Sequence, residues 1–188
     1  MANFLWAGHA LNLARDFMSV MLRISQLIDR VNDLLGRSVA WLALAMVLVM
    51  ALIVVLRYVF QFGSIAMQES VMYFNALVFS LGAAYTLKEQ GHVRVDIFYN
   101  RLSERGQALV DLGGGLVFLL PATLFILWVS WDYVALSWRI QETSTEASGL
   151  PFVYLLKTTM LLLAGLLALQ GVSEIIKAVL RLRKDTSQ

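Results

Sequence analysis

The chain has 188 residues, of which 59% are hydrophobic and only 15% are charged. A soluble domain is typically about half apolar and about a quarter charged, so this balance excludes an ordinary soluble enzyme domain. The net charge of +2 gives no indication of nucleic-acid binding. The lack of cysteine excludes disulfides and thiolate metal sites.

Residues 1–37 are predicted to form an amphipathic helix. Apolar residues recur at alternating spacings of four and three, and basic and polar residues occupy the other face. The apolar stripe consists of Leu13, Phe17, Val20, Ile24, Leu27, Val31 and Leu34. Such a helix either lies flat in the cytoplasmic membrane interface or packs through its stripe on a partner subunit, and the pattern favours neither.

Residues 38–180 are predicted to form a four-helix membrane domain, followed by a cytoplasmic tail at 181–188. Long apolar blocks match the ~20 residues that a helix needs to cross a bilayer. They predict an all-α integral membrane protein with spans at about 38–59, 69–88, 104–134 and 151–176.

Two local signals refine the third of these helices. Ser103 followed by Glu104 is typical of a helix N-cap and first turn, so the helix should begin near Ser103, before the membrane. Pro121 lies inside the span and should kink it, because proline has no backbone N–H to donate.

The basic residues predict the orientation, since Lys and Arg concentrate in cytoplasmic connectors. Four lie before the first span, four between the second and third, and four after the fourth, whereas only Arg57, Arg139 and Lys157 lie on the opposite side. Both termini should therefore be cytoplasmic.

Charged residues at the predicted outer face are candidates for function. Glu69 opens the second span and Arg57 closes the first. A carboxylate at a membrane helix end can bind a proton or sodium ion, but an Arg57–Glu69 ion pair that pins the short hairpin is favoured. The other outer candidates are Asp132, Arg139, Glu142 and Glu146.

Small residues in the second and third spans favour close helix packing, because membrane helices approach through glycine-rich faces. The candidates are Gly82, Gly113, Gly114 and Gly115. Haem ligation is not favoured, because bis-histidine ligation needs two imidazoles facing each other inside the bundle. His9 is in the N-terminal extension and His92 is in a connector.

Short motifs in a fixed order carry a resemblance to a known family. They run from the end of the first span into the fourth helix, and Gly91–Asp96 (GHVRVD) is the most specific. The motifs are Arg57-Tyr58-Val59-Phe60, Gln68-Glu69, Leu81-Gly82-Ala83-Ala84-Tyr85-Thr86-Leu87-Lys88, Gly91-His92-Val93-Arg94-Val95-Asp96, Leu102-Ser103, Glu142, Ser144, Gly149-Leu150-Pro151, Lys157 and Gln170-Gly171. Over roughly residues 38–180 the chain resembles the small permease (Q) subunit of tripartite ATP-independent periplasmic (TRAP) transporters. Many members carry a tryptophan and two acids where this chain has Met67, Gln68 and Glu69. In this departure the chain resembles the mannitol/chloroaromatic-type branch of the family.

The resemblance implies a non-catalytic scaffold in the bacterial or archaeal cell (inner) membrane. Its partners would be a large permease (M) subunit, a periplasmic solute-binding protein and membrane lipids, with no nucleic acid. The complex would import an organic acid with sodium, and the sodium site is expected in the large subunit, so no cofactor is expected in this chain. Lys88, His92, Arg94 and Asp96 would contact the large subunit or lipid on the cytoplasmic side, and the outer charged residues would help dock the binding protein.

Two hypotheses from other classes stay open. One is a stand-alone transporter that uses Glu69 as its coupling carboxylate. The other is a membrane anchor for an enzyme, with a haem or quinone site.

Overall fold

The computed structural model describes residues 2–89, 91 and 99–185, with side chains described within 18–89, 91 and 99–183. Every regular element in these ranges is helical, which confirms the all-α class. The elements are α1 (Ala2–Tyr58), α2 (Ile65–Lys88), α3 (Glu104–Gly114), a π-helical turn (Gly115–Leu119), α4 (Leu120–Arg139) and α5 (Val153–Asp185).

Four helical stretches of the described chain are long and apolar enough to cross a membrane. They are Met18–Tyr58, Ile65–Lys88, Glu104–Arg139 and Val153–Arg183. The third stretch combines α3, the π-helical turn and α4, and the four-span prediction is thereby confirmed.

The predicted amphipathic helix is the first part of α1. No break separates it from the first span, and the 57 residues of α1 form one continuous helix. At 1.5 Å per residue this helix is about 86 Å long, far more than the ~30 Å of a bilayer core. A segment of α1 therefore extends well beyond any single crossing.

Helix α5 is the centre of the bundle, because it contacts α1, α2, α3 and α4, while α1 and α2 pack on each other. The apolar core between α1, α2 and α5 contains Leu81, Ala84 and Leu166, all at most 8% exposed. Leu35 and Val39 of α1 pack against this cluster. Most other apolar side chains of the spans face outward, as expected for helices that contact lipid or a partner subunit.

The third span has the predicted start. The Ser103 hydroxyl accepts a hydrogen bond from the Gly106 N–H at 3.2 Å, and Glu104 occupies the first turn. The π-helical turn at Gly115–Leu119 ends two residues before Pro121. Proline cannot donate to the carbonyl four residues before it, and a wider turn accommodates the lost bond.

The face of α1 that packs in the bundle is not its apolar stripe. Val20, Ile24, Leu27, Val31 and Leu34 are all exposed, with Leu34 at 69%. The buried positions are offset by one residue, at Ser25 and Asn32, each 2% exposed. Because one residue turns a helix by about 100°, the inward face is a different one, and the stripe is left open on the surface.

The predicted glycines differ in how closely they pack within the chain. A Cβ on Gly115 would lie 2.8 Å from Cγ1 of Ile175 in α5, so this glycine does permit a close helix approach. A Cβ on Gly82 would make only an ordinary contact with Val39, at 3.9 Å. A Cβ on Gly113 or Gly114 would meet nothing within 4 Å, so neither packs closely within this chain.

Two further glycines make close contacts that the sequence reading missed. A Cβ on Gly36 would overlap the ring of Tyr85, which joins α1 to α2. A Cβ on Gly171 would lie 2.9 Å from Cδ2 of Leu119, which joins α5 to the π-helical turn. Neither glycine belongs to a run of small residues, so no local pattern marked it.

Candidate functional site

The two short loops 59–64 and 140–152 lie at the same end of the bundle, here called the hairpin end, and the other end is called the terminal end. At the hairpin end, Glu69 of α2 binds the longer loop. The Ser144 hydroxyl donates to Oε1 of Glu69, and the Leu150 backbone N–H donates to Oε2 at 2.6 Å. Both oxygens of this carboxylate are therefore occupied by donors from the loop.

The predicted Arg57–Glu69 ion pair is wrong: the side chains described by the structure contain no such salt bridge. Helix α2 begins at Ile65 behind an N-cap at Ser64, which places Glu69 one turn into the helix. There it faces loop 140–152, whose donors take its oxygens, and Arg57 is exposed in the last turn of α1.

Loop 140–152 is also closed by its own hydrogen bonds. The Ser144 N–H donates to the Leu150 carbonyl at 3.2 Å, and the Gly149 N–H donates to the Glu146 carbonyl at 3.1 Å. The Glu146 N–H in turn donates to the Ser144 hydroxyl at 3.1 Å. These bonds pair several of the loop's backbone groups with partners inside the loop.

An ion pair holds the start of the loop to α5. Nζ of Lys157 donates to Oε2 of Glu142 at 2.5 Å and lies 4.0 Å from the ring centroid of Tyr133 in α4. The hydrogen bond from Lys157 holds the pKa of the Glu142 carboxyl below its usual range. The Val153 N–H donates to the Glu142 carbonyl at 3.1 Å, so both the side chain and the backbone of Glu142 are fixed.

The structure separates the six predicted outer residues into two sets. Glu69 and Glu142 are engaged inside the subunit, as described above. The other four are exposed, and the described side chains form no salt bridge with them: Arg57, Asp132, Arg139 and Glu146. These four charges are available to another molecule at the hairpin end.

At the terminal end, Lys88 is the one predicted contact residue that the structure describes. Its ammonium pairs with Asp33 of α1 and lies 2.9 Å from Oε1 of Glu89. Lys88 therefore ties α2 to α1 within the subunit. The remaining predicted residues of this set lie outside the described part of the chain: His92, Arg94 and Asp96.

A buried polar cluster, missed by sequence reasoning, joins α1 to α5 near the terminal end. Its members are Ser25, Asp29 and Asn32 of α1 and Gln170, Ser173, Glu174 and Lys177 of α5. Gln170, which is fully buried, accepts from Asn32 at 2.6 Å and donates to Asp29 at 3.1 Å and Glu174 at 2.9 Å. Lys177 lies 2.8 Å from both Asp29 and Glu174, so the acids have a cationic partner.

A sequence signal for this cluster exists in its spacing. The α1 members follow one another by four and three residues, and the α5 members by three, one and three. Each set therefore lies on one helical face. The pattern of apolar residues along α1 is stronger than this polar pattern, and it points to the membrane interface or a partner subunit rather than to α5.

The fold and these contacts define a four-span membrane protein with a buried polar cluster between α1 and α5. Four exposed charges to which the described side chains offer no salt bridge lie at its hairpin end. Among the described residues, no group of three or more His, Asp or Glu side chains is placed to hold a metal ion.

The family model of the DctQ component of tripartite ATP-independent periplasmic transporters matches residues 46–181, well over half of the chain. The chain belongs to this family. It is a small permease component of a TRAP transporter in the inner membrane and not an enzyme, which confirms the resemblance drawn from its motifs. Comparison with curated proteins gave no match, and comparison with solved structures gave none either.

Proposed function

We propose that this subunit is the non-catalytic scaffold of a sodium-coupled importer of an organic acid. It packs on the large permease subunit, which would hold the solute and sodium sites, and it helps to dock the periplasmic binding protein. Both termini lie in the cytoplasm in this proposal, so the hairpin end faces the binding protein. The asymmetric distribution of Lys and Arg supports that orientation.

The observation that carries the docking role is a set of four exposed charges at the hairpin end with no salt bridge to any side chain that the structure describes. The four exposed residues are Arg57, Asp132, Arg139 and Glu146. Hydrogen bonds within loop 140–152 hold the backbone of Glu146 in place. Exposed charges of both signs on a rigid surface suit a transient protein interface, since complementary charge steers association and selects the partner.

The lateral surface supports packing on a large membrane partner. Gly113 and Gly114 lie side by side on the third span with open space beyond them. Next to them, Val117 and Phe118 are 63% and 73% exposed. In membranes, small residues let a second helix approach closely, and this surface offers such a place.

The test is co-expression of the tagged chain with the products of its adjacent genes, followed by detergent pull-down and mass spectrometry. We expect a large multi-span protein at one-to-one stoichiometry. Gly113→Leu should reduce its recovery without changing the melting temperature of the isolated chain, whereas Gly82→Leu, at a contact inside the subunit, should lower that melting temperature. Recovery of the chain alone, together with ion-driven flux in liposomes that Glu69→Gln abolishes, would show a stand-alone transporter instead.

Docking has its own test on the purified two-subunit complex. Charge reversal by Arg139→Glu or Glu146→Lys should slow association of the binding protein, and the difference from wild type should shrink as salt rises. Lys157→Glu is not a suitable reversal, because Lys157 is paired inside the subunit. Unchanged association rates for both reversals would contradict a docking role for this end.

A further inference from the structure

We propose that Glu69 is a positioning residue that fixes the shape of loop 140–152, so that the docking surface exists before the binding protein arrives. This inference rests on the proposed docking function and adds a role to a residue that was expected to contact the partner directly. In this structure both Glu69 oxygens are bound by the loop, so its effect on the partner would pass through the loop.

The geometry is that of a clamp. One carboxylate from α2 holds two points of the loop, the Ser144 hydroxyl near its start and the Leu150 N–H near its end. Hydrogen bonds to an ionised acceptor are roughly twice as strong as neutral ones. Because α2 is separate from the helices that the loop joins, the clamp fixes the loop relative to the bundle as well as closing it.

Gly149 provides the space that the clamp requires. A Cβ at this position would lie 2.8 Å from Oε1 of Glu69 and would overlap the Ser144 side chain. The backbone of Gly149 does not have a positive φ, so the glycine is needed for its small size and not for its conformation. Any larger residue would push Ser144 away from the carboxylate.

The loop also carries conformational strain that an anchor must balance. The backbone of Gln141 has φ 48° and that of Ser148 has φ 68°. Both lie in the left-handed region, which residues other than glycine rarely adopt. Such conformations persist where surrounding contacts impose them. Ser148 lies between the two loop residues that bind Glu69, so loss of the clamp should let it relax.

The outer part of the clamped loop is exposed. Thr145, Glu146 and Ala147 are exposed, while Ser144, Gly149 and Leu150 beneath them are partly buried. Holding exposed groups in one arrangement removes the entropy cost of ordering them at binding, which raises affinity without a new contact. This is the advantage of a preformed loop over one that folds on the partner.

The first measurement is the mobility of a spin label at position 145 in the purified two-subunit complex. The chain contains no cysteine, so Thr145→Cys gives a single labelling site in this subunit, and any cysteines of the large subunit are replaced first. We expect Glu69→Gln and Gly149→Ala to increase label mobility. Glu146→Gln removes the same charge from a side chain outside the clamp and should leave mobility as it is.

The second measurement is uptake by the same complex in liposomes as the loaded binding protein is varied. We expect Glu69→Gln to raise the apparent KM for the binding protein about tenfold at nearly unchanged maximal rate, because each tenfold corresponds to about 1.4 kcal/mol of ordering cost. Co-purification of the large subunit should be unaffected.

The outcomes separate the two proposals. Unchanged label mobility in Glu69→Gln overturns the clamp, and so does increased mobility with an unchanged KM. Loss of all uptake with an ordered loop makes Glu69 a coupling carboxylate and also overturns it. If wild-type uptake does not depend on the binding protein, the docking function itself is wrong, whatever the label shows.

Discussion

Replacing Gln170 by methionine should destabilise the isolated subunit by about 2–4 kcal/mol. Gln170 is fully buried and makes three hydrogen bonds, to Asn32, Asp29 and Glu174. Such bonds contribute about 0.6–1.5 kcal/mol each, the lower value being the average measured in a membrane protein. Methionine keeps the length of the side chain, so the effect comes from lost hydrogen bonds rather than from a cavity.

The cost is not larger because Asp29 retains other donors. The Ser173 hydroxyl lies 2.9 Å from Oδ1 of Asp29, and the Lys177 ammonium lies 2.8 Å from Oδ2. The amide of Asn32, in contrast, is left buried without its partner, and an orphaned buried donor is destabilising. Asn32→Leu in the same chain removes that donor, so the double variant should recover part of the loss.

The assay is reversible unfolding in mixed micelles with increasing SDS, followed by circular dichroism, for wild type, both single variants and the double variant. The cycle gives the coupling energy between Asn32 and Gln170. Leu169→Met is the matched control, because its side chain is 52% exposed on the same helix. If Gln170→Met cost no more than this control, the cluster would not hold α1 to α5 and the reasoning would fail.

Two further predictions concern helix packing and pH. Gly115→Ala should lower the free energy of unfolding by about 1–3 kcal/mol, because the added Cβ would lie 2.8 Å from Ile175. Gly113→Ala should be neutral or slightly stabilising in the isolated chain. Melting curves measure both changes, and equal effects would contradict the close contact at Gly115. For pH, Lys157 lowers the pKa of Glu142 from its ordinary 4.5, so the pair contributes fully above about pH 4.5 and its contribution is lost as pH falls through the lower, folded-state value. In a Glu69→Gln background, where that carboxyl cannot titrate, a spin label at position 145 should become still more mobile in that acidic range. Adding Glu142→Gln should remove this pH response, and a response that persisted would argue against this pair as the cause.

Local features of the sequence were sufficient to predict the membrane spans and some of the helix ends. Asp111 and Asp132 bound an uncharged block of the third span, and a block of that length can cross a membrane only as a helix, because every backbone polar group must be paired there. The Ser103 cap was predictable for a similar reason, since a side chain and a backbone N–H three residues apart meet in any helix that starts there.

The candidate residues were found more readily than their partners. Glu69 stands out as an acid at a membrane helix end, but nothing near it in sequence indicates that its donors come from Ser144 and Leu150, 75 and 81 residues away. The nearest opposite charge, Arg57, was the natural choice and proved to be wrong. Proximity in sequence favoured the ion pair, whereas the packing of α2 beside the longer loop decided the contact.

The sequence by itself determined how many helices cross the membrane, since this depends on length, apolarity and charge read along one segment at a time. Only the tertiary structure decided which face of α1 is buried, that Gly36 and Gly171 also make close contacts, and that Glu69 holds loop 140–152. These features depend on how two distant segments are rotated and aligned against each other. A shift of one residue turns a helix by about 100° and changes every partner, so a pattern within one helix cannot choose among them.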